Sequence, residues 1–175
     1  LEKITENGII TQDDWTWVSE VTAHTISGLT AGSYKLIETL PPTSKGYVKA
    51  PNIDFTLNED GSSPNKIVMH DDYTKLNIEK IDNNGEYVEG AILELLDENG
   101  KVYKTWTSKK GAEEIRYIPA GKYTLTETKA PDGYEMAKPM KIIVLPIGRV
   151  QTYQMIDNKT TITHTVNISK KEISK

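Results

Sequence analysis

Short stretches in which apolar and polar residues alternate dominate the chain and predict β-strands. In "GKYTLTETKAPDGYE" (residues 121–135), Tyr123, Leu125 and Glu127 share one strand face, while threonines occupy the other. Similar runs rich in Val, Ile, Thr and Tyr are separated by turn sequences such as "TENG", "DNNG", "DENG" and "APDG". No stretch of helical period carries proper caps. The pattern therefore predicts an all-β protein built as an antiparallel sandwich or barrel.

An internal repeat organises these strands. The stretch "GLTAGSYKLIETLPPTSKGYVKA" matches "YIPAGKYTLTETKAPDGYEMA", and this match aligns Glu38 with Glu127. Further along, "NKIVMHDD" matches "VQTYQMIDN", which aligns Asp71 with Asp157. The repeat predicts two copies of one β module in tandem.

The limits of the modules follow from the repeat. The first module, residues 1–74, begins at "LEKITENG" and lacks an opening strand. The second, residues 75–160, is complete because "TKLNIEKIDNNGEYVEGAI" precedes its "LELLDENG". Residues 161–175 contain "THTVNISKKEISK", which resembles that opening strand and aligns Lys170 with Lys80. This tail is predicted to be the first strand of a following module.

Composition narrows the possible partners and settings. The chain has 175 residues, 37% of them hydrophobic, which is enough for small cores. Its 21 basic and 25 acidic residues give a net charge of −4, which argues against nucleic acid or an anionic membrane as main partner. No apolar run long enough for membrane insertion and no signal peptide is present, so we expect a soluble excerpt or mature form. Cysteine is absent, so a thin β domain outside the cell needs a stabilising device other than disulfides.

Charged residues fall on strand faces that are otherwise apolar. In "LNIEK", Lys80 lies on the same strand face as the apolar residues, and in "TYQMID" the same is true of Asp157. Glu127 shares its strand face with a Tyr and a Leu. The equivalent positions of the first module and the tail carry Glu38, Asp71 and Lys170. A single charge in a core is costly, whereas three that converge can hydrogen-bond or react. The parity alone also fits a buried salt-bridge network, or strand ends that reach solvent.

These motifs resemble the CnaB-type (SpaA-like, prealbumin-like) repeats of Gram-positive surface adhesins and pilins. "YTLTETKAPDGY" is similar to the glutamate box of that family. "IEKID" followed by "EGAILELLDENGK" is similar to the opening strands of the family. "IVMHDDYTK" is similar to its reactive aspartate strand. The resemblance covers both modules and implies tandem immunoglobulin-like/prealbumin-like β-sandwiches. It also implies a covalent bond between a lysine of the first strand and an Asp or Asn of the last strand, promoted by a glutamate between them.

For the second module, the resemblance implies an isopeptide bond between Lys80 and Asp157, with Glu127 as the catalytic residue. Burial would favour a neutral, nucleophilic amine and protonated carboxyl groups. Glu127 could then polarise the Asp157 carboxyl group and move protons as water leaves. The reaction needs no cofactor and occurs once, so it is self-modification rather than enzymatic turnover. Asn158 is also a usable partner by type, but its parity points outward.

For the first module, the resemblance implies the same roles for Glu38 and Asp71, although no matching lysine is in place. The adjacent Asp72 is interpreted as a turn or surface residue. The tail, in turn, offers Lys170 without a module. We therefore expect the tail to dock by strand addition on another copy, head to tail, with Lys170 against Asp71 and placed to bond to it. The alternative is a disordered tail and a frayed first module.

Other candidate sites are weaker. The three histidines lack the spacing of a metal site, and Asp54 or Asp60 with the Asp71–Asp72 pair lacks the ligand rhythm of a calcium loop. Trp15, Trp17 and Trp106 could stack on a sugar, but Trp17 and Trp106 occupy equivalent repeat positions, which favours packing. No Ser-His-Asp arrangement, phosphate loop or redox motif is present.

The sequence therefore predicts a stalk segment of an extracellular surface protein or pilus. Wall attachment would lie elsewhere in a parent protein, since the chain has no LPxTG-type signal. The expected partners are neighbouring repeats and head-to-tail copies, with any host surface ligand bound through distal domains. The first alternative is an adhesive module that binds a host protein or glycan through loops such as "LPPTSKGY". A hydrolase or transferase of transthyretin-like fold has little support.

Overall fold

The regular structure is almost entirely β, which confirms the predicted fold class. The computed structural model describes residues 1–64, 66–161 and 163–170. Two short 3-10 turns lie at Asp13–Trp15 and Thr43–Lys45. The strands of the described residues are β1 (Glu2–Thr5), β2 (Gly8–Ile10), β3 (Gly32–Leu36), β4 (Tyr47–Val48), β5 (Ile53–Leu57), β6 (Asp72–Tyr73), β7 (Lys75–Asp82), β8 (Ile92–Leu96), β9 (Val102–Thr107), β10 (Glu113–Arg116), β11 (Gly121–Lys129), β12 (Met140–Val144) and β13 (Val150–Asp157).

The chain divides into two compact units. Unit 1 comprises Leu1–Leu76, Ile115–Gly121 and Val144–Gln151, and unit 2 comprises Asn77–Glu114, Lys122–Ile143 and Thr152–Lys175. The boundary predicted near residue 74 lies close to the change of unit after Leu76. The limits of the three predicted modules stay a prediction.

Unit 1 contains a four-stranded antiparallel sheet in the order β2-β1-β3-β5. Tyr34 lies in its middle, opposite Lys3 on one side and Phe55 on the other. The Tyr34 ring is buried, stacks on Phe55 with centroids 5.5 Å apart and meets the edge of Trp15 at 5.9 Å. The apolar parity of β3 therefore forms an aromatic core.

Unit 2 has alternating burial along its strands, as in a β-sandwich. One sheet has the order β12-β11-β8-β9, and a second sheet has the order β10-β7-β13. The apolar core residues that these strands bury include Ile78, Leu93, Leu95, Leu125, Ile142 and Met155. The period-two pattern in the sequence therefore identified the inward faces of these strands.

The repeat is visible in the topology of both units. The orders β5-β3-β1-β2 and β12-β11-β8-β9 place equivalent strands in equivalent positions. The bridge between Tyr47 and Tyr73 recurs between Tyr134 and Lys159. Each bridge is followed by the same backbone hydrogen bond of 2.9 Å, from Thr74 N to Gly46 O and from Thr160 N to Gly133 O. The tandem repeat is therefore a property of the fold as well as of the sequence.

A compact cluster in unit 1 depends on unusual backbone conformations. Tyr117 has a positive φ of 57°, and its ring stacks on Tyr73 with centroids 4.1 Å apart. Gly46 has a φ of +75° and lies very close to the backbone of Tyr117. A Cβ added to Gly46 would lie 2.1 Å from the Tyr117 carbonyl carbon. Buried Thr74 accepts the Tyr117 N–H through its carbonyl oxygen at 3.0 Å. Only glycine fits at position 46.

The tail has no regular structure in its described part. Residues 163–170 are exposed, and the predicted opening strand of a third module is not formed there. Residues 162 and 171–175, which belong to the same prediction, lie outside the described residues. Within the described ranges, no helix is long and apolar enough to cross a membrane.

Candidate functional site: a buried lysine, glutamate and aspartate

Three strands of unit 2 bring three charged side chains into the core. Lys80 lies on β7, Glu127 on β11 and Asp157 at the end of β13. Their exposures are 2%, 2% and 0%. Each belongs to the inward parity of its strand, because residues two positions earlier (Ile78, Leu125 and Met155) are buried too. The structure thus brings together the three residues that the sequence singled out in the second module.

The lysine lies between the two carboxyl groups. Lys80 Nζ donates a short hydrogen bond to Asp157 Oδ1 and lies 3.4 Å from Glu127 Oε1. The other oxygen of Glu127, Oε2, accepts the backbone N–H of Ala137 at 2.6 Å. Among the described residues, neither Glu127 Oε1 nor Asp157 Oδ2 accepts a hydrogen bond. Each carboxyl group therefore keeps one oxygen available for a proton.

The environment of Glu127 favours its neutral form. Burial raises the pKa of this carboxyl group above its usual value, and the charge of Asp157 acts in the same direction. The Ala137 N–H and the Lys80 ammonium oppose the increase only in part. A protonated Glu127 can donate a hydrogen bond to a neighbouring oxygen, which an ionised carboxylate cannot do.

A small surface depression of unit 2 reaches Lys80. Its lining residues are Ile78, Lys80, Trp106, Ser108, Lys109, Gly111 and Glu113. Trp106 is half-buried here, in keeping with a packing role.

Unit 1 repeats part of this arrangement. Glu38 Oε2 accepts the backbone N–H of Ala50 at 2.7 Å, just as Glu127 accepts that of Ala137. Glu38 is, however, only half-buried. The glutamate and its backbone partner are therefore present in both units, whereas the buried ion pair is described in unit 2.

The expectation that Asp71 faces a core is wrong. Asp71 is exposed and belongs to no strand, although the bridge between Tyr47 and Tyr73 keeps it in register with Asp157. In unit 2 the equivalent strand, β13, lies beside β7, which bears Lys80. No such neighbouring strand is described beside residues 66–71. This alternating segment therefore lacks a strand with which it could pair in a sheet. Lys170 is likewise exposed and outside any strand.

Other residues considered from the sequence are exposed or half-buried. Asn158 is exposed and accepts a hydrogen bond from Asn83 Nδ2 at 2.6 Å, so its outward direction is as predicted. Asp72 forms an ion pair with Lys75 at 2.8 Å. Trp17 stacks on His24 with centroids 4.5 Å apart. No group of three His, Asp or Glu side chains suited to a metal ion occurs in the described part of the chain.

Sequence reasoning did not identify two further residues near the cluster. Asp82, on β7, is 2% exposed, and its Oδ2 lies 3.0 Å from Lys159 Nζ. The turn sequence "DNNG" is a signal that Asp82 accepts backbone N–H groups, which it does from Asn84 and Glu86. No sequence signal connects it to Lys159, because the two residues are far apart in the chain.

Comparison with known proteins finds a family that matches part of this chain. The family model described as SpaA, a prealbumin-like fold domain, matches residues 74–160. Residues 74–160 are a SpaA domain. The all-β structure, the family match and the repeated glutamate motif agree with each other, and the predicted CnaB/SpaA-like resemblance is confirmed.

The solved structures that match this chain include pilus proteins. The Bacillus anthracis TIE protein is 19% identical, with a TM-score of 0.44, over 74% of this chain and 34% of that one. The Lactobacillus rhamnosus GG shaft pilin SpaA is 19% identical (TM-score 0.46; 77% of this chain, 67% of that one). The group B streptococcus pilus 2b backbone protein is 23% identical (TM-score 0.46; 63% and 50%). The SpaA-containing chain thus spans between a third and two thirds of their lengths. No curated protein matches it.

Proposed function

We propose that the SpaA domain forms an isopeptide bond between Lys80 and Asp157 by its own chemistry, with Glu127 as the acid and base. The observation that supports this is the buried contact of Lys80 Nζ with Asp157 Oδ1, with Glu127 Oε1 3.4 Å from the same nitrogen. All three side chains are almost completely removed from solvent. Charges in such surroundings are costly, and an amide removes two of them.

The proposed reaction begins with a proton transfer inside the ion pair. The Lys80 ammonium gives a proton to the Asp157 carboxylate, which leaves a neutral amine and a carboxylic acid. Burial favours this neutral pair over the ions. Protonated Glu127 donates a hydrogen bond to the Asp157 carbonyl oxygen and makes its carbon more electrophilic.

The amine then attacks Cγ of Asp157. Glu127 takes a proton from the attacking nitrogen and delivers one to the departing hydroxyl group, so that the C–O bond breaks and water leaves. The ammonium and the carboxylate have together become one amide and one water. Glu127 ends in its starting state, and no cofactor or external energy source takes part.

Intact mass spectrometry distinguishes this proposal from a stable buried salt bridge. Wild type is expected to weigh one water less than its sequence, with the crosslinked peptide mapping to Lys80 and Asp157. Glu127→Gln is expected to keep the full mass, and exposed Glu135→Gln is the matched control that should lose the water. A wild-type mass equal to the sequence mass would refute the bond. Complete crosslinking of Glu127→Gln would remove the role of the glutamate.

At the level of the whole protein, we propose a structural segment of a bacterial cell-surface protein or pilus. The match to the SpaA family, and a buried cluster whose proposed chemistry occurs once in each molecule, support an extracellular load-bearing role rather than an enzymatic one. The tie would join β7 and β13, two adjacent strands near the two ends of the domain in sequence. Wall attachment would be supplied by a longer parent protein.

We also propose that unit 1 accepts a lysine-bearing strand from another copy. The observation that favours this is the recurrence of the Glu38–Ala50 hydrogen bond and of the strand register that aligns Asp71 with Asp157. The segment 163–170 carries Val166, Ile168 and Lys170 with the parity of β7, and it is exposed. Docking of this segment would bring Lys170 to Asp71 and Glu38 of the neighbour and build open head-to-tail chains.

Denaturing electrophoresis of concentrated protein tests this second proposal. A ladder is expected for wild type, and it should disappear with Lys170→Ala but persist with Lys141→Ala, since Lys141 is an exposed lysine on β12. A single band would refute the covalent link. A monomer by light scattering at high concentration would also refute the docking.

A further inference from the structure

A second ion pair, with the charges exchanged, lies beside the Lys80–Asp157 pair, between β7 and the residues that directly follow β13. On β7 the acid is Asp82, two residues after Lys80, and its partner Lys159 lies two residues after Asp157. Lys159 Nζ is 3.0 Å from Asp82 Oδ2. Both pairs therefore join residues 77 positions apart, which means that the two strands advance in the same direction.

Asp82 is held rigidly for this contact. Its Oδ1 accepts the N–H groups of Asn84 at 2.8 Å and Glu86 at 3.0 Å, so the turn after β7 fixes the carboxylate. Its Oδ2 is buried and points to Lys159, whose side chain is 59% exposed. The ammonium group also lies 6.0 Å from the centre of the Tyr134 ring. One partner is thus oriented by two backbone hydrogen bonds, and the other is a solvent-accessible lysine.

This charge pattern opposes the errors of register that the hydrophobic pattern tolerates. A slip of one residue would turn the apolar face of β13 outward, so burial already disfavours it. A slip of two residues keeps the inward parity. In one direction it would bring Lys80 to Lys159, and in the other it would bring Asp82 to Asp157. Like charges side by side on neighbouring strands are destabilising.

We propose that Asp82 and Lys159 are positioning residues, which set the register of β13 on β7 so that Lys80 meets Asp157. This inference rests on the proposed crosslinking reaction and assigns it a specificity device. The pair takes no part in the bond itself. It acts by making the reactive register the one in which both ion pairs form.

The test follows bond formation in newly synthesised protein. Aliquots of a cell-free synthesis are quenched at intervals, the loss of one water is measured by intact mass, and the crosslinked peptides are sequenced. Lys159→Asp places a carboxylate opposite Asp82. It also stabilises the shifted register in which Lys80 meets position 159, because that position then carries a carboxylate. Lys159→Ala removes the charge without stabilising the shifted register, and Lys159→Arg keeps the charge. Lys141→Asp repeats the change of net charge at an exposed site on β12.

Lys159→Asp is expected to form the Lys80–Asp157 bond roughly tenfold more slowly, with part of the product linked from Lys80 to the carboxylate at position 159. Lys159→Ala should be about threefold slower and linked only at Asp157. Lys159→Arg and Lys141→Asp should behave as wild type. Added salt should slow wild type toward the rate of Lys159→Ala, because an exposed ammonium is screened.

The outcomes separate this inference from the proposed function. If wild type never loses water, both are overturned. If wild type crosslinks and Lys159→Asp does so at the same rate, only at Asp157, the register role is overturned and the reaction stands. The misplaced bond is decisive, because a general loss of stability would slow the reaction without creating it.

Discussion

At the scale of single residues, the glutamates of the two units share a backbone tie. Glu127 and Glu38 each accept the N–H of an alanine ten or twelve residues later, at 2.6 and 2.7 Å. In unit 2 this bond fixes one oxygen of a carboxyl group whose pKa is raised by burial. The bond therefore orients the carboxyl group, and burial favours its protonated form.

The unfolding free energy should fall as the pH rises toward the raised pKa of buried Glu127. Because its folded pKa is raised, the native state retains a proton that the unfolded state loses above about pH 4.3. Lys80→Met prevents the bond and removes the lysine that partly lowers this pKa. The unfolding free energy of Lys80→Met, minus that of Lys80→Met/Glu127→Gln, is expected to decrease as pH rises from 4.5, by up to about 1.4 kcal/mol per pH unit. Urea titrations measure it, and a pH-independent difference would contradict the raised pKa.

The tie of Glu38 should stabilise unit 1 without any crosslink. Glu38→Ala leaves the Ala50 N–H without its acceptor, and the expected loss is about 1–2 kcal/mol, since the bond involves a charged group. Glu59→Ala, at an exposed turn position, is the control and should change stability by less than about 0.5 kcal/mol. Urea midpoints compare the two, and equal midpoints would show that the Glu38 bond contributes nothing.

At the scale of elements, the turn that ends in Gly46 and the segment around Tyr117 form a close backbone contact in unit 1. Gly46→Ala combines a positive φ with a Cβ placed 2.1 Å from a backbone carbon, so the two segments must separate. We expect a loss of about 3 kcal/mol or more. Gly61→Ala is the matched control, because Gly61 has φ +80° and open space around it, and it should cost about 1 kcal/mol. Similar denaturation midpoints for both variants would argue against the close contact.

The features of this fold that the sequence predicts are those with local signals. Alternation and turn residues predicted the strands, because these signals reside in neighbouring positions. The repeat predicted that one β module occurs twice, because the two copies share the same local patterns. Parity also indicated that Lys80, Glu127 and Asp157 point inward. It failed at Asp71, because a face is buried only when a neighbouring strand is present to cover it. The Asp82–Lys159 pair and the Tyr117 backbone depend on contacts between distant segments, which parity does not encode.

At the scale of the whole molecule, the proposed bond should shield part of the chain from extension. Lys80 and Asp157 are 77 residues apart, so the bond would withhold about 270 Å of extended chain from a force applied at the termini. In single-molecule pulling, Glu127→Gln should release this length and wild type should not. Glu135→Gln should behave as wild type. Release of the full length by wild type would mean that no covalent tie lies between the two strands.

The adjacency of β7 and β13 has a further consequence for refolding. In a linear chain, pairing these strands closes one of the longest loops of the domain, and such distant contacts slow folding. A chain denatured after the bond has formed would begin its return with this contact already made. Its effective contact order would be lower. Its unfolded state would also have fewer conformations, which raises the free energy of that state by about 4.5 kcal/mol in the loop-entropy model used for disulfides. A protein deformed repeatedly outside the cell, beyond the reach of chaperones, would then recover its fold faster than it first acquired it.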